Sequence, residues 1–186
     1  MKLIVPLLAL AAAAPAVAGD YCEDLWFTRN AIIDRAGYCF GSTLGQRLFD
    51  NGDCIGKSVS LSDADKAKVA LIQQQEKDAA CRIDTSRTAL DFPDIATRRR
   101  LIDLPVSHGF ERACIDWLGD PVPLRAGHSQ NTNVIGEILP GDTISYGHIP
   151  AGGWTYVTIS SGDWQIKSAG WYHFEAYQET CAQYAG

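Results

Sequence analysis

"LWFTRNAIIDRAGYCF", residues 25–40, sets two arginines and an asparagine among apolar residues at helical spacing, then stops at Gly37 and Tyr38. Leu25, Ile32 and Ala36, with Trp26 and Ile33 beside them, follow the steps of three, four and seven that give a helix one buried stripe. Gly37 stands where a helix end wants a left-handed residue. Upstream, Asp20 can cap the helix while Glu23 returns to the cap amide. Arg29 and Arg35 are six residues apart and so lie on different helical faces. With Asn30 they read as polar struts, because a guanidinium has donors enough to gather carbonyls from the loops that close a small fold.

Before this helix, residues 1–18 carry one cation, Lys2, then an apolar run and the tripeptide Ala16, Val17, Ala18, the pattern of a cleaved secretory signal. The run is short for a membrane span. The chain of 186 residues has a formal charge of −6, and removal of residues 1–18 takes away only Lys2. That acidic balance disfavours nucleic acid, whose recognition demands a basic face. The cluster Arg98, Arg99, Arg100 is read as a solvated turn of a connecting helix.

Two further helices follow. Thr43 with Gln46 opens a short one that Asn51 and Gly52 end, and Ser62 with Asp65 opens a third, whose stripe is Val69, Ile72 and Ala79. Residues 82–104 are a connector with a short helix expected from Asp94 to Ile102. From about Val106 strand signals replace helix signals, clearest in "WTYVTI" (154–159), where Trp154, Tyr156 and Thr158 alternate with Thr155, Val157 and Ile159. The fold expected is α+β, a disulfide-stapled helical module followed by a small antiparallel β-barrel.

The first module resembles the YARHG domain, a small extracytoplasmic bacterial module. Leu25, Trp26, Phe27, Thr28, Arg29 and Asn30 fit its frame, as do Ile32, Arg35, Gly37, Tyr38 and Phe40. At the five positions that give the family its name stand Ile33, Asp34, Arg35, Ala36 and Gly37, without the tyrosine, alanine and histidine. The second half is similar to bacterial Src-homology-3-like barrels in "VPLRAGHSQNTNVIGEILPGDTI" (122–144), "GGWTYV" (152–157) and "GWYHFEAY" (170–177). An uncharacterised C-terminal domain that follows YARHG is the alternative. These likenesses divide the chain into a signal at 1–18, a YARHG-like helical domain at 19–81, the connector, and a β domain at 105–186.

All six cysteines, at 22, 39, 54, 81, 114 and 181, lie beyond the signal, and an even count in an oxidising compartment reads as three disulfides. If staples respect the module boundary, Cys114 pairs with Cys181, and the other four can divide in three ways. Cys39 with Cys54 and Cys22 with Cys81 is favoured, since the first clasps the short helix and the second ties the start of helix one to the end of helix three. Each is worth about 3–4 kcal/mol on chain entropy.

No residues are assigned to catalysis, metal binding or a cofactor. His108, His128, His148 and His173 lack the short spacings common in zinc sites. No G-x-S-x-G elbow is present, and the carboxylate pairs Asp63 with Asp65 and Glu175 with Glu179 fall on expected solvated faces. Aromatics are the functional lead. In Src-homology-3-like folds exposed aromatics line a peptide groove, and Trp154, Tyr156, Trp171 and Tyr172 are the candidates here, with packing against the helical module as the other use for such rings. The expectation is a non-enzymatic, periplasmic or secreted module with no membrane span after signal removal. It binds a peptide, a peptidoglycan fragment or an envelope protein. The rivals are an inhibitor of an envelope enzyme presenting residues 146–153, and a hydrolase or transferase with a carboxylate pair assembled between the domains.

Overall fold

The computed structural model describes residues 18–162, 164–174 and 180–186. The expected leader, apart from Ala18, and the pair Glu175 and Glu179 lie outside them. Helix α1 (Ala18–Arg35) begins two residues before the expected cap at Asp20. Glu23 therefore serves elsewhere: its carboxylate accepts from Arg87 at 2.5 Å and from the Asp91 amide, holding the connector against the helix. At the other end Gly37 adopts φ +86°, and the Tyr38 and Gly37 amides reach back to the Ile33 and Asp34 carbonyls, the paired bonds of a Schellman ending. A Cβ at Gly37 would also sit 2.8 Å from Ile55 Cγ1.

Helix α1 is buried on nearly every face from Cys22 to Ile32, not along one stripe. Its apolar side meets Phe40, Leu44, Phe49 and Ile72, while the connector, through Leu90 and Phe92, closes over it. Helix α2 (Thr43–Leu48) is capped by Ser42, one residue before the expected Thr43, with its hydroxyl accepting from the Gly45 amide. Asn51 clamps both main-chain groups of Phe40, at 2.8 and 3.0 Å. Helix α3 (Asp63–Asp78) has the expected box: Ser62 Oγ accepts from the Asp65 amide at 3.1 Å and donates to its carboxylate at 2.7 Å. Of its expected stripe, Ile72 is buried and Ala79 is exposed. Helix α4 (Ile95–Arg98) is shorter than the 94–102 expected.

Disulfides join Cys22 to Cys81, Cys39 to Cys54 and Cys114 to Cys181. The first links the start of α1 to the residues just past α3.

Among the described residues seven strands follow: β1 (Ser107–Trp117), β2 (Val122–Arg125), β3 (Val134–Ile138), β4 (Thr143–His148), β5 (Trp154–Ser160), β6 (Ile166–His173) and β7 (Cys181–Ala185). They form one antiparallel sheet in the order β3-β2-β6-β5-β4-β1-β7. Among the described residues it does not close into the expected barrel. The free edge of β1, where closure would need a partner, is taken by β7, which the Cys114–Cys181 disulfide ties there.

Alternation along β5 divides the buried side chains. Val157 and Ile159 join Cys114, Trp117, Leu124 and Ile144 in a core on one face. Trp154 and Tyr156 join Ala169, Trp171 and Leu101 on the other, which carries the helical module. With both faces covered, the strand is buried at six of its seven residues.

Candidate functional site

The expected groove residues are packed inside. Trp154, Tyr156, Trp171 and Tyr172 are each no more than 7% exposed. Tyr156 donates its hydroxyl to Asp94 at 2.6 Å, and Trp171 donates Nε1–H to the Asp103 carbonyl at 2.8 Å. Three of the four thus meet the connector or the helices, because the sheet face that bears them is the one α4 and the connector cover. Tyr172, on the other face, shows an edge to a cavity of about 420 Å³ beside Tyr146, Phe174 and Tyr184.

Among the three polar residues of the opening helix, Arg29 gives Nε–H to both oxygens of Glu76, at 3.1 and 2.9 Å, and so links α1 to α3. Arg35 donates to the Leu101 and Ile102 carbonyls at 2.7 and 2.9 Å. Asn30 donates to the Trp26 carbonyl one turn back at 2.7 Å. The segment 146–153, considered as an inhibitory loop, is mostly tied down: Tyr146, Gly147 and His148 end β4, and Ile149 packs on the helical core.

The dominant polar feature is one that reading the chain as a string of surface charges misses. Arg98, taken as part of a solvated turn, is 2% exposed and lies between the helical module and the sheet. Its fork grips Asp24, with Nη1 2.5 Å from Oδ1 and Nη2 2.7 Å from Oδ2, a bidentate pair of the strong kind. Nε donates to Asp94 Oδ2 at 3.0 Å, and Nη1 also donates to Thr28 Oγ1 at 3.0 Å. The plane stands over the rings of Phe92 and Tyr156, 5.2 and 5.4 Å from their centroids. Nε2 of His148 is within reach of Arg98 Nη2 at 2.7 Å and of Asp24 Oδ2 at 3.1 Å. It accepts from the guanidinium in one tautomer and donates to the carboxylate in the other. His148 Nδ1 is buried and has no partner among the described residues.

Two signals for this cluster exist in the sequence: Asp24 with Thr28 and Asp94 with Arg98 are each four apart, the spacing of helix neighbours. His148 and Tyr156 give none, since a strand histidine and a strand tyrosine are ordinary.

Three members of the cluster are strongly biased in charge state. Burial works to raise the Asp24 carboxyl, but the Arg98 charge and the His148 contact outweigh it and hold the group well below the usual carboxylate range. Burial works against the Arg98 charge too, yet Asp24 and Asp94 raise it well above its ordinary value. Burial first, then Asp94, pushes the Tyr156 phenol well above its own.

Above this floor opens a cavity of about 680 Å³. Asp24, Asp94, Arg98 and His148 lie at its base, Ser145, Thr158 and Ser160 of the sheet along a wall, and Phe110 and Trp164 at its mouth. These last two are 76% and 63% exposed. Among the described residues no group of three or more histidine, cysteine or acidic side chains is placed to hold a metal.

Residues 1–77 match the YARHG domain. No curated protein and no solved structure matches the chain. Three disulfides and a YARHG domain fit a location outside the cytoplasm, and no helix among the described residues is long and apolar enough to cross a membrane. Residues 80–186, more than half of the chain, match the family described as a domain of unknown function, DUF4453, and the chain belongs to that family.

Proposed function

We infer that this is a non-enzymatic binding module of the bacterial envelope, periplasmic or secreted, and that the cleft between the helical module and the sheet takes a cell-wall fragment. One observation carries the reading: a cavity of about 680 Å³ with two large exposed rings at its mouth and a floor in which Arg98 is paired with Asp24 and Asp94. Binding sites are concave, largely preformed, and lined by apolar surface with a few placed polar groups. A floor whose charges already satisfy one another keeps its shape whether or not a ligand is present.

The rival reading, a hydrolase with carboxylates between the domains, has its pair in Asp24 and Asp94. General acid–base work needs a group whose pKa lies near the working pH. Asp24 is locked in its ionised form and Tyr156 in its neutral form, with Arg98 cationic between them. These favour a scaffold over a proton relay.

Incubating the oxidised protein with isolated peptidoglycan and sedimenting it separates the readings. Retention in the pellet without soluble fragments is expected. Fragment release would establish the hydrolase, and protein left in the supernatant would remove the cell wall as ligand and direct attention to a peptide or an envelope protein.

A further inference from the structure

The mouth and the sheet-side wall of the cleft carry groups that the ionic floor does not use. Trp164 is the one exposed tryptophan among the five of the chain, the others being buried at Trp26, Trp117, Trp154 and Trp171. It is held at φ +62° with its amide donating to the Ser161 carbonyl at 2.9 Å, and with Phe110 it puts two large rings at one opening. Paired exposure of this kind marks an interaction surface.

Along the wall, Ser145 and Thr158 are direct cross-strand partners, so their side chains share a face, and Ser160 is two residues further along the same strand. Their hydroxyls make no hydrogen bond to another described side chain. Each is both donor and acceptor. Glu111, exposed at the rim, adds an acceptor.

Charge narrows the choice of ligand. Among the described residues the only Lys or Arg side chain lining the cleft is Arg98, which is engaged by Asp24 and Asp94, and Glu111 adds another negative charge. An anionic ligand meets repulsion and finds no free cation. A neutral ligand rich in hydroxyls finds donors, acceptors and rings together. A pyranose has that make-up, with a polarised C–H face that suits the electron-rich face of an aromatic ring and an edge of hydroxyls that suits serine, threonine and carboxylate.

We propose that the cleft binds a neutral saccharide, stacked on Trp164 or Phe110, with its hydroxyls taken by Ser145, Thr158, Ser160 and Glu111. This rests on the binding reading above and names the part of the cell-wall fragment that is recognised.

The test titrates the oxidised protein with chitotriose, a neutral trimer of N-acetylglucosamine, and separately with a short acidic stem pentapeptide. Calorimetry gives the affinity and acrylamide quenching reports the exposure of Trp164. Chitotriose is expected to bind and to shield Trp164 from quencher. Trp164→Ala, and independently the nearly isosteric Thr158→Val, are expected to raise Kd at least about fivefold, the loss a modest binding hot spot gives, without moving the melting midpoint. Chitotriose binding that neither variant weakens overturns the site. Retention on peptidoglycan together with binding of the pentapeptide and not of chitotriose overturns the saccharide while leaving the binding module in place. Absence of retention and of chitotriose binding overturns both.

Discussion

The two faces of the sheet are held by opposite chemistry. On one, Ile144, Val157 and Ile159 are wholly enclosed by apolar neighbours. On the other, an arginine, two carboxylates, a phenol and an imidazole are enclosed at the seam with the helical module. Apolar burial tolerates loss in proportion to the atoms removed. A buried ionic set is stable only while each charge keeps its partners, since stranding one exposes the full desolvation penalty. The apolar face therefore builds the sheet, and the ionic face fixes how α1 and α4 sit on it.

The contrast is tested most harshly by Arg98→Met, which leaves Asp24 and Asp94 buried without a counter-charge. Urea unfolding is expected to show a loss of about 3–5 kcal/mol. Removing the carboxylates as well, in Arg98→Met with Asp24→Asn and Asp94→Asn, should return most of it. A triple variant as unstable as the single one would show that the ions contribute net attraction and not only orientation. On the apolar face Ile159→Ala is expected to cost about 3 kcal/mol, with no such rescue by a second substitution.

Acid sharpens the same comparison without altering the apolar face. Asp24 has a folded-state pKa below its unfolded value, so its contribution is fully present above about pH 4, the ordinary aspartate value, and is lost as the pH falls further. Stability measured from pH 6 downward should fall through that window, and Asp24→Asn should flatten the fall. An unchanged slope would contradict the assignment. The smallest effect is expected at Arg29, whose pair with Glu76 is partly exposed. Arg29→Ala should cost about 1 kcal/mol or less in thermal unfolding.

What was legible in the chain follows the same division. Helix α3 announces itself through Ser62 and Asp65, the end of α1 through Gly37, and β5 through its period of two, because each depends on residues close in sequence. Disulfide bonds follow from an even cysteine count in a chain read as exported. The ionic cluster joins residues as far as 124 positions apart, so no window of sequence contains it. Arg98 was masked by its neighbours: three arginines in a row beside a proline-punctuated connector resemble a solvated turn, and only the folding of that connector over α1 buries the first of them. Asp24 and Thr28 look like the wet side of an amphipathic helix for the same reason. The aromatics of β5 and β6 were visible as a group, but their direction was set by where the helical module lies. The exposed rings of the cleft are Phe110, which carries no local signal, and Trp164, visible only as an extra residue in an insert.

The proposed division of labour has the buried ions hold the cleft and the exposed rim bind. Its most direct measurement is retention on insoluble peptidoglycan of the double variant Phe110→Ala with Trp164→Ala, beside its melting midpoint. Retention reduced at least about fivefold with melting unchanged is the predicted result. Retention equal to that of the unaltered protein would contradict it.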